Sequence, residues 1–221
     1  MISGSMARGT RANGLRWLGG LGLLLCLGAG ADEAAPPAMV GLCAVCHGES
    51  GPSPFIGVPT IHGLPEGVIA AALYDFRDGY RPCRVSACSR DGRCPDMSMC
   101  DIVGSMGDQQ MEELAGWYAD QPFAAHQDPF DPALAAIGRE LHMRECEVCH
   151  TQLGSDPLDD AGMLRGQRKV YLRTALEDFH QGLRVIDIPA MEEPIRNFSP
   201  AQLDALAEFY SGPAVAPLPA Q

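Results

Sequence analysis

Basic residues are scarce in this chain of 221 residues: 16 Lys and Arg stand against 28 Asp and Glu, a formal charge of −12. Phosphate binding draws on basic surface, so nucleic acid is excluded as a partner. Strand-like alternation is largely missing, and the chain reads as helical throughout. No apolar run reaches the roughly 20 residues of a membrane span, and no collagen-like period is present. Disorder is excluded in turn, because 46% of the residues are hydrophobic and supply enough apolar surface for a core.

What is present begins with a secretion signal. Arg8, Arg11 and Arg16 precede an apolar run from about Trp17 to Leu27, and no acid occurs before Asp32. Ala29-Gly30-Ala31 then offers a small-x-small cleavage site. Residues 1–31 are expected to be a cleaved signal peptide, which makes the protein periplasmic. Cys26 does not mark a lipoprotein, because leucines fill the places before it where small residues belong. The later cysteines then work in an oxidising compartment.

The rest of the chain repeats itself. Cys43-Ala44-Val45-Cys46-His47 recurs as Cys146-Glu147-Val148-Cys149-His150, an offset of 103. The same offset pairs Gly63 with Gly166, Asp75-Phe76 with Asp178-Phe179, Gly79 with Gly182 and Arg81 with Arg184. Beyond Arg81 the offset falls to 92, pairing Met99 with Met191, Leu114 with Leu206 and Trp117-Tyr118 with Phe209-Tyr210. The first copy thus carries 11 extra residues between Arg81 and Met99. Two homologous domains are expected at 32–121 and 131–213, joined by a polar linker at 122–130 with Pro122 and Pro129. Residues 214–221 form a tail.

Helix signals fall at matching places. Asp131 can cap and Pro132 can open a helix running into Cys146. Ser199-Pro200-Ala201-Gln202 reads as a capping box for the last helix. Middle helices are expected at about Glu66–Asp78 and Lys169–Gln181, stopping at Gly79 and Gly182.

Cys-x-x-Cys-His is the c-type haem attachment sequence. Two thiols one helical turn apart add to the two vinyl groups of one porphyrin, and the next histidine meets the iron. A redox dithiol or a zinc half-site explains one such motif. Two in register behind an export signal point to two covalently bound haem c groups, on Cys43, Cys46 and His47 and on Cys146, Cys149 and His150. Pro54 and Pro157 each lie seven residues after the histidine, and a carbonyl near each is expected to accept the imidazole N–H.

The sixth iron ligand decides between a carrier and an enzyme, because Met/His ligation fills both axial positions. The first copy offers Met97, Met99 and Met106; the second offers only Met191 after its middle helix. The offset of 92 selects Met99 and Met191 as axial ligands. His62, His126, His142 and His180 are alternatives, but the repeat pairs none of them with another histidine.

Cys83, Cys88, Cys94 and Cys100 lie near the insertion, at about 82–100, and have no counterparts in the second copy. Two disulfides are expected, with three pairings open. A four-thiolate metal site and Cys100 as an iron ligand are the alternatives. Arg77, Arg81, Arg84, Arg90 and Arg93 gather in the same neighbourhood. They read either as solvated pairs with local acids or as a positive patch that meets haem propionates or a partner.

These paired sites, each with a methionine before the final helix, resemble the soluble two-domain, two-haem cytochromes c of bacteria. The resemblance implies a mainly α fold of two tandem class I-like cytochrome c domains, each wrapping one haem. On Phe130-Asp131, Asp159-Asp160-Ala161-Gly162, Gly166-Gln167 and Tyr171-Leu172, the second copy is similar to the cytochrome subunit of flavocytochrome c sulfide dehydrogenase. The run Asp75-Phe76-Arg77-Asp78-Gly79 points the same way. That likeness implies a non-catalytic electron-transfer subunit whose redox partner is a flavoprotein carrying FAD. The alternatives are a freely diffusing carrier to a terminal oxidase and a haem enzyme, peroxidase or sulfur-compound dehydrogenase, with one open iron site.

Overall fold

The computed structural model describes residues 36–84, 96–185 and 188–212. The expected signal peptide and tail, Cys88, Cys94, Arg90 and Arg93 lie outside these. Among the described residues there are helices and no strands. The first copy contributes α1 (Val40–His47), α2 (Glu66–Asp78), α3 (Met99–Val103) and α4 (Asp108–Ala119). The second contributes α5 (Pro132–Glu145), the short turn α6 (Thr151–Gly154), α7 (Lys169–His180), α8 (Pro189–Asn197) and α9 (Pro200–Ser211).

The helices start where their capping residues dictate. Asp131 accepts from the Ala133 and Leu134 N–H groups, and Pro132, with no N–H to satisfy, takes the first position of α5. Ser199 and Gln202 form a reciprocal capping box at the head of α9. The middle helix α2 ends at Gly79 in the left-handed conformation. Its partner α7 stops one residue earlier than expected, at His180, with Gln181 as the cap.

Each copy has its own core. In the first, Met111, Leu114, Ala115 and Tyr118 of α4 pack with Leu64, Ile69, Val103 and Met106. In the second, Leu203, Leu206, Phe209 and Tyr210 of α9 pack with Leu141, Leu172 and Phe198. Helical spacing puts these residues on one face, and that face is buried. Met163 of the second copy joins the first core, so the two halves share apolar contact as well as polar bonds.

The connection between the copies is laid over two matching glycines. Gly63 donates its N–H to the Tyr118 carbonyl at 2.8 Å, and Gly166 donates to the Tyr210 carbonyl at 3.0 Å. Both sit at positive φ, +69° and +84°, where other residues are strained. A Cβ on Gly63 would overlap the backbone of Gln121 and Phe123, and one on Gly166 would press on Ala125. The His126 N–H then donates to the Gly166 carbonyl at 2.7 Å.

Candidate haem sites

In α1 the sequence Cys43 to His47 forms one helical turn, so both thiols and the imidazole face one cavity. The second site follows directly from α5, with Cys146 as its cap. None of the four attachment cysteines is drawn into a disulfide. Burial pushes the Cys43 and Cys146 thiols up. The Tyr118 hydroxyl reaches Cys43 and the Tyr210 hydroxyl reaches Cys146, repeating the offset of 92.

Each proximal histidine is fixed by one backbone carbonyl. His47 Nδ1 donates to the Pro59 carbonyl at 2.9 Å, and His150 Nδ1 donates to the Gly162 carbonyl at 3.0 Å. Both acceptors lie twelve residues after their histidine. The acceptors lie five residues beyond Pro54 and Pro157, near which a carbonyl was expected. With Nδ1 occupied, Nε2 is left to face the iron. Burial pushes His47 down to about 4 and lowers His150 as well, so both rings are neutral, as a metal ligand must be.

The first cavity is apolar over most of its wall, with Leu64, Ile69, Leu73, Phe76, Ile102 and Leu114. Met97 and Met99 both reach it. Met97 is 44% exposed, whereas Met99 packs against the first core. Met106 is itself a core residue at 6% exposure. Met191 lies on α8, half-buried.

The alternative histidine ligands are engaged elsewhere. His126 pairs with Asp128 and Arg168, His142 with Tyr210 and Glu147, and His180 with the Ile195 carbonyl. His62 is buried edge-on against Tyr118, and none of the four lines the first cavity.

Cys83 and Cys100 of the cysteine insert lie among the described residues. Cys83 and Cys100 form a disulfide with Cα atoms 5.6 Å apart. That removes two of the four thiolates a zinc site would need and removes Cys100 as an iron ligand. Among the described residues no other group of His, Cys, Asp and Glu could hold a metal.

Among the described residues, one arginine pairs with local acids and others reach the second copy. Arg77 pairs with Asp78 and Asp108, but Arg84 crosses to Asp178 of the second copy. Arg81 stacks on Phe76 and donates to the Tyr171 hydroxyl at 3.1 Å. Its repeat mate Arg184 stacks on Phe179 and also bonds Tyr171. Sequence reasoning paired Arg81 with Arg184 but missed Tyr171 and Asp178, because nothing local reveals which face meets the other half.

Phe76, Arg81, Arg84, Tyr171, Asp178 and Arg184 line an edge of the first cavity. Two guanidiniums hold the Tyr171 hydroxyl below its ordinary pKa despite burial. Arg184 Nε is buried without a partner among the described residues. Arg81, Arg84 and Arg184 face Asp178, with Asp75 acting on Arg184, so cations outnumber carboxylates three to two here, and the propionates of a haem held by Cys43, Cys46 and His47 would supply further negative charge. The residues present fit the group.

No protein-family model matches the chain. It is 27% identical over 208 residues to cytochrome c4 of Pseudomonas aeruginosa, covering 86% of this chain and 96% of that protein. It is 26% identical over 198 residues to the thiosulfate dehydrogenase electron acceptor of Thiomonas intermedia, covering 85% of each. Among solved structures, reduced cytochrome c4 from Pseudomonas stutzeri superposes with a TM-score of 0.63 at 27% identity, covering 78% of this chain and 94% of that one. The fold is that of a two-domain, class I-type cytochrome c. With the paired attachment sites, it defines an electron-transfer cytochrome with two covalent haem c groups.

Proposed function

We propose that the chain is a periplasmic two-haem relay that takes electrons from a sulfur-compound dehydrogenase and passes them on, without itself transforming substrate. Its domains are 32–121 and 131–213, with 122–130 between them. Each haem supplies reversible one-electron exchange at iron. His47 with Met99 and His150 with Met191 would hold the two irons and would leave substrate no position to bind. The surrounding apolar walls exclude water and favour the reduced state.

The observation that carries this reading is the shared edge of the first cavity. Tyr171, Thr174 and Ala175 of α7 close a cavity whose cysteines and histidine belong to α1. Arg81 and Arg184, one from each copy, meet on the Tyr171 hydroxyl. A seam shared by the two halves suits an electron that enters through one half and leaves through the other.

The sulfur-compound donor is supported by the likeness to a thiosulfate dehydrogenase electron acceptor and by the second-copy motifs shared with the sulfide dehydrogenase subunit. A flavoprotein carrying FAD is the donor those motifs favour. Purification of the native complex tests it: a flavoprotein in fixed ratio supports the subunit reading, and a monomeric two-haem protein supports a freely diffusing carrier. Met99→Leu and Met191→Leu test the ligands. Each is expected to remove the sulfur-to-iron charge-transfer band of one haem only, and a variant that keeps both contributions overturns that assignment.

A further inference from the structure

The two methionine-bearing segments are held in place by different means. In the second half, Met191 belongs to α8, nine residues long. That helix is tied to α7 where His180 Nδ1 donates to the Ile195 carbonyl at 2.9 Å. In the first half, Met99 opens α3, which has only five residues. A helix so short has too few hydrogen bonds to offset the cost of its own nucleation.

The first half lacks that side-chain tie, although Val103 and Met99 of α3 rest in the first core. By the repeat, His180 corresponds to Arg77, and Arg77 is turned toward Asp78 and Asp108. The Ser98–Asp101 capping box orders the head of α3 but reaches nothing beyond it. The covalent tie comes from Cys100, directly beside Met99, which is joined to Cys83 past the end of α2. Cys100 corresponds to Glu192, and the second copy has no cysteines besides its attachment pair.

We propose that Cys83 and Cys100 are positioning residues for Met99, so that cleaving their disulfide releases the first methionine ligand and leaves Met191 in place. The inference rests on Met99 and Met191 being the axial ligands, as proposed above. A dithiol reductant would act by thiol–disulfide exchange. One thiolate attacks the bridge to give a mixed disulfide, and the second thiol closes on it. Two electrons and two protons end on the Cys83 and Cys100 thiols, and the reductant leaves as a cyclic disulfide. The disulfide then works as a redox-sensitive latch on one haem of two.

The test uses the haem-loaded protein and its Cys83→Ser/Cys100→Ser variant, with Cys88 and Cys94 kept. The ferric charge-transfer band is expected to fall to about half, and carbon monoxide uptake by the ferrous protein to rise from none to about one per chain. Wild-type protein treated with dithiothreitol and alkylated is expected to behave the same, which covers a variant that fails to fold. Either preparation retaining the full band and taking up no carbon monoxide overturns the latch while leaving the ligand assignment standing. Untreated wild type that already binds carbon monoxide overturns both.

Discussion

The Gln167 side chain grips the Thr60 peptide at both ends: Oε1 accepts from the Thr60 N–H at 2.9 Å, and Nε2 donates to the Thr60 carbonyl at 2.7 Å. Both residues are buried, at 2% and 0% exposure. Thr60 follows Pro59, whose carbonyl orients His47. The second half thus clamps the segment that aims the first proximal histidine. The clamp runs one way, because the repeat mate of Gln167 is Leu64, a residue of the first core.

Gln167→Leu would leave a buried N–H and a buried carbonyl unpaired. The expected loss is about 2–4 kcal/mol, since each orphaned group costs roughly 1–3. Denaturant unfolding measures it. The reduction potential of the first haem is expected to move more than that of the second, and equal shifts would show that the clamp acts on the whole molecule rather than on His47.

Where α5 crosses α9 the backbones nearly touch. A Cβ at Gly138 would overlap the Ala205 carbonyl and press on Phe209 Cβ. Gly138→Ala is expected to cost about 2–3 kcal/mol through overpacking, although alanine is the better helix former by about 1 kcal/mol. Gly116→Ala in α4 is the control. Its nearest neighbour is the flexible Glu66 side chain at 3.7 Å, so propensity decides and the variant is expected to be neutral or slightly more stable.

These relations mark the limit of what the sequence discloses. Caps and periodicity announce helices locally, so α2, α5 and α9 were legible from Gly79, Asp131-Pro132 and Ser199-Gln202. The attachment sites were legible because five adjacent residues carry their chemistry. The Pro59 and Gly162 carbonyls were not, since a backbone acceptor leaves no mark on side-chain identity. The bond between Cys83 and Cys100 depends on two Cα atoms coming within 5.6 Å, which spacing alone cannot reveal. Arg81 and Arg84 read either as solvated pairs with local acids or as a positive patch, because the face of the second half they meet is set by tertiary packing.

The pH dependence of stability should carry a signature of His142. It is fully buried, its Nε2 donates to Glu147 at 2.5 Å, and its Nδ1 accepts from the Tyr210 hydroxyl at 2.7 Å. Burial holds the ring below its ordinary pKa, outweighing Glu147. The native ring therefore stays neutral where the unfolded chain, with a pKa of about 6.5, takes up a proton. Its contribution is complete above about pH 6.5 and is lost as pH falls toward the lowered native value, by up to about 1.4 kcal/mol per pH unit. His142→Gln is expected to flatten the profile by one proton. Urea midpoints between pH 5 and 7.5 check this, and an unchanged slope would mean that the native ring is already charged.

The last prediction concerns the seam between the halves. Arg81 and Arg184 carry two positive charges to one edge of the first cavity, each lying on an aromatic ring at 4.4 and 4.3 Å. A nearby positive charge favours the reduced, less positive iron, so it raises the potential. Arg81→Gln and Arg184→Gln are each expected to lower the potential of the first haem, by on the order of tens of millivolts for a partly screened unit charge. Arg196→Gln, whose partner Glu192 lies on the exposed face of α8, is expected to leave it unchanged. Spectroelectrochemical titration separates the two haems. Should all three variants shift alike, the effect is one of overall charge, and the Tyr171 seam has no special hold on the first haem.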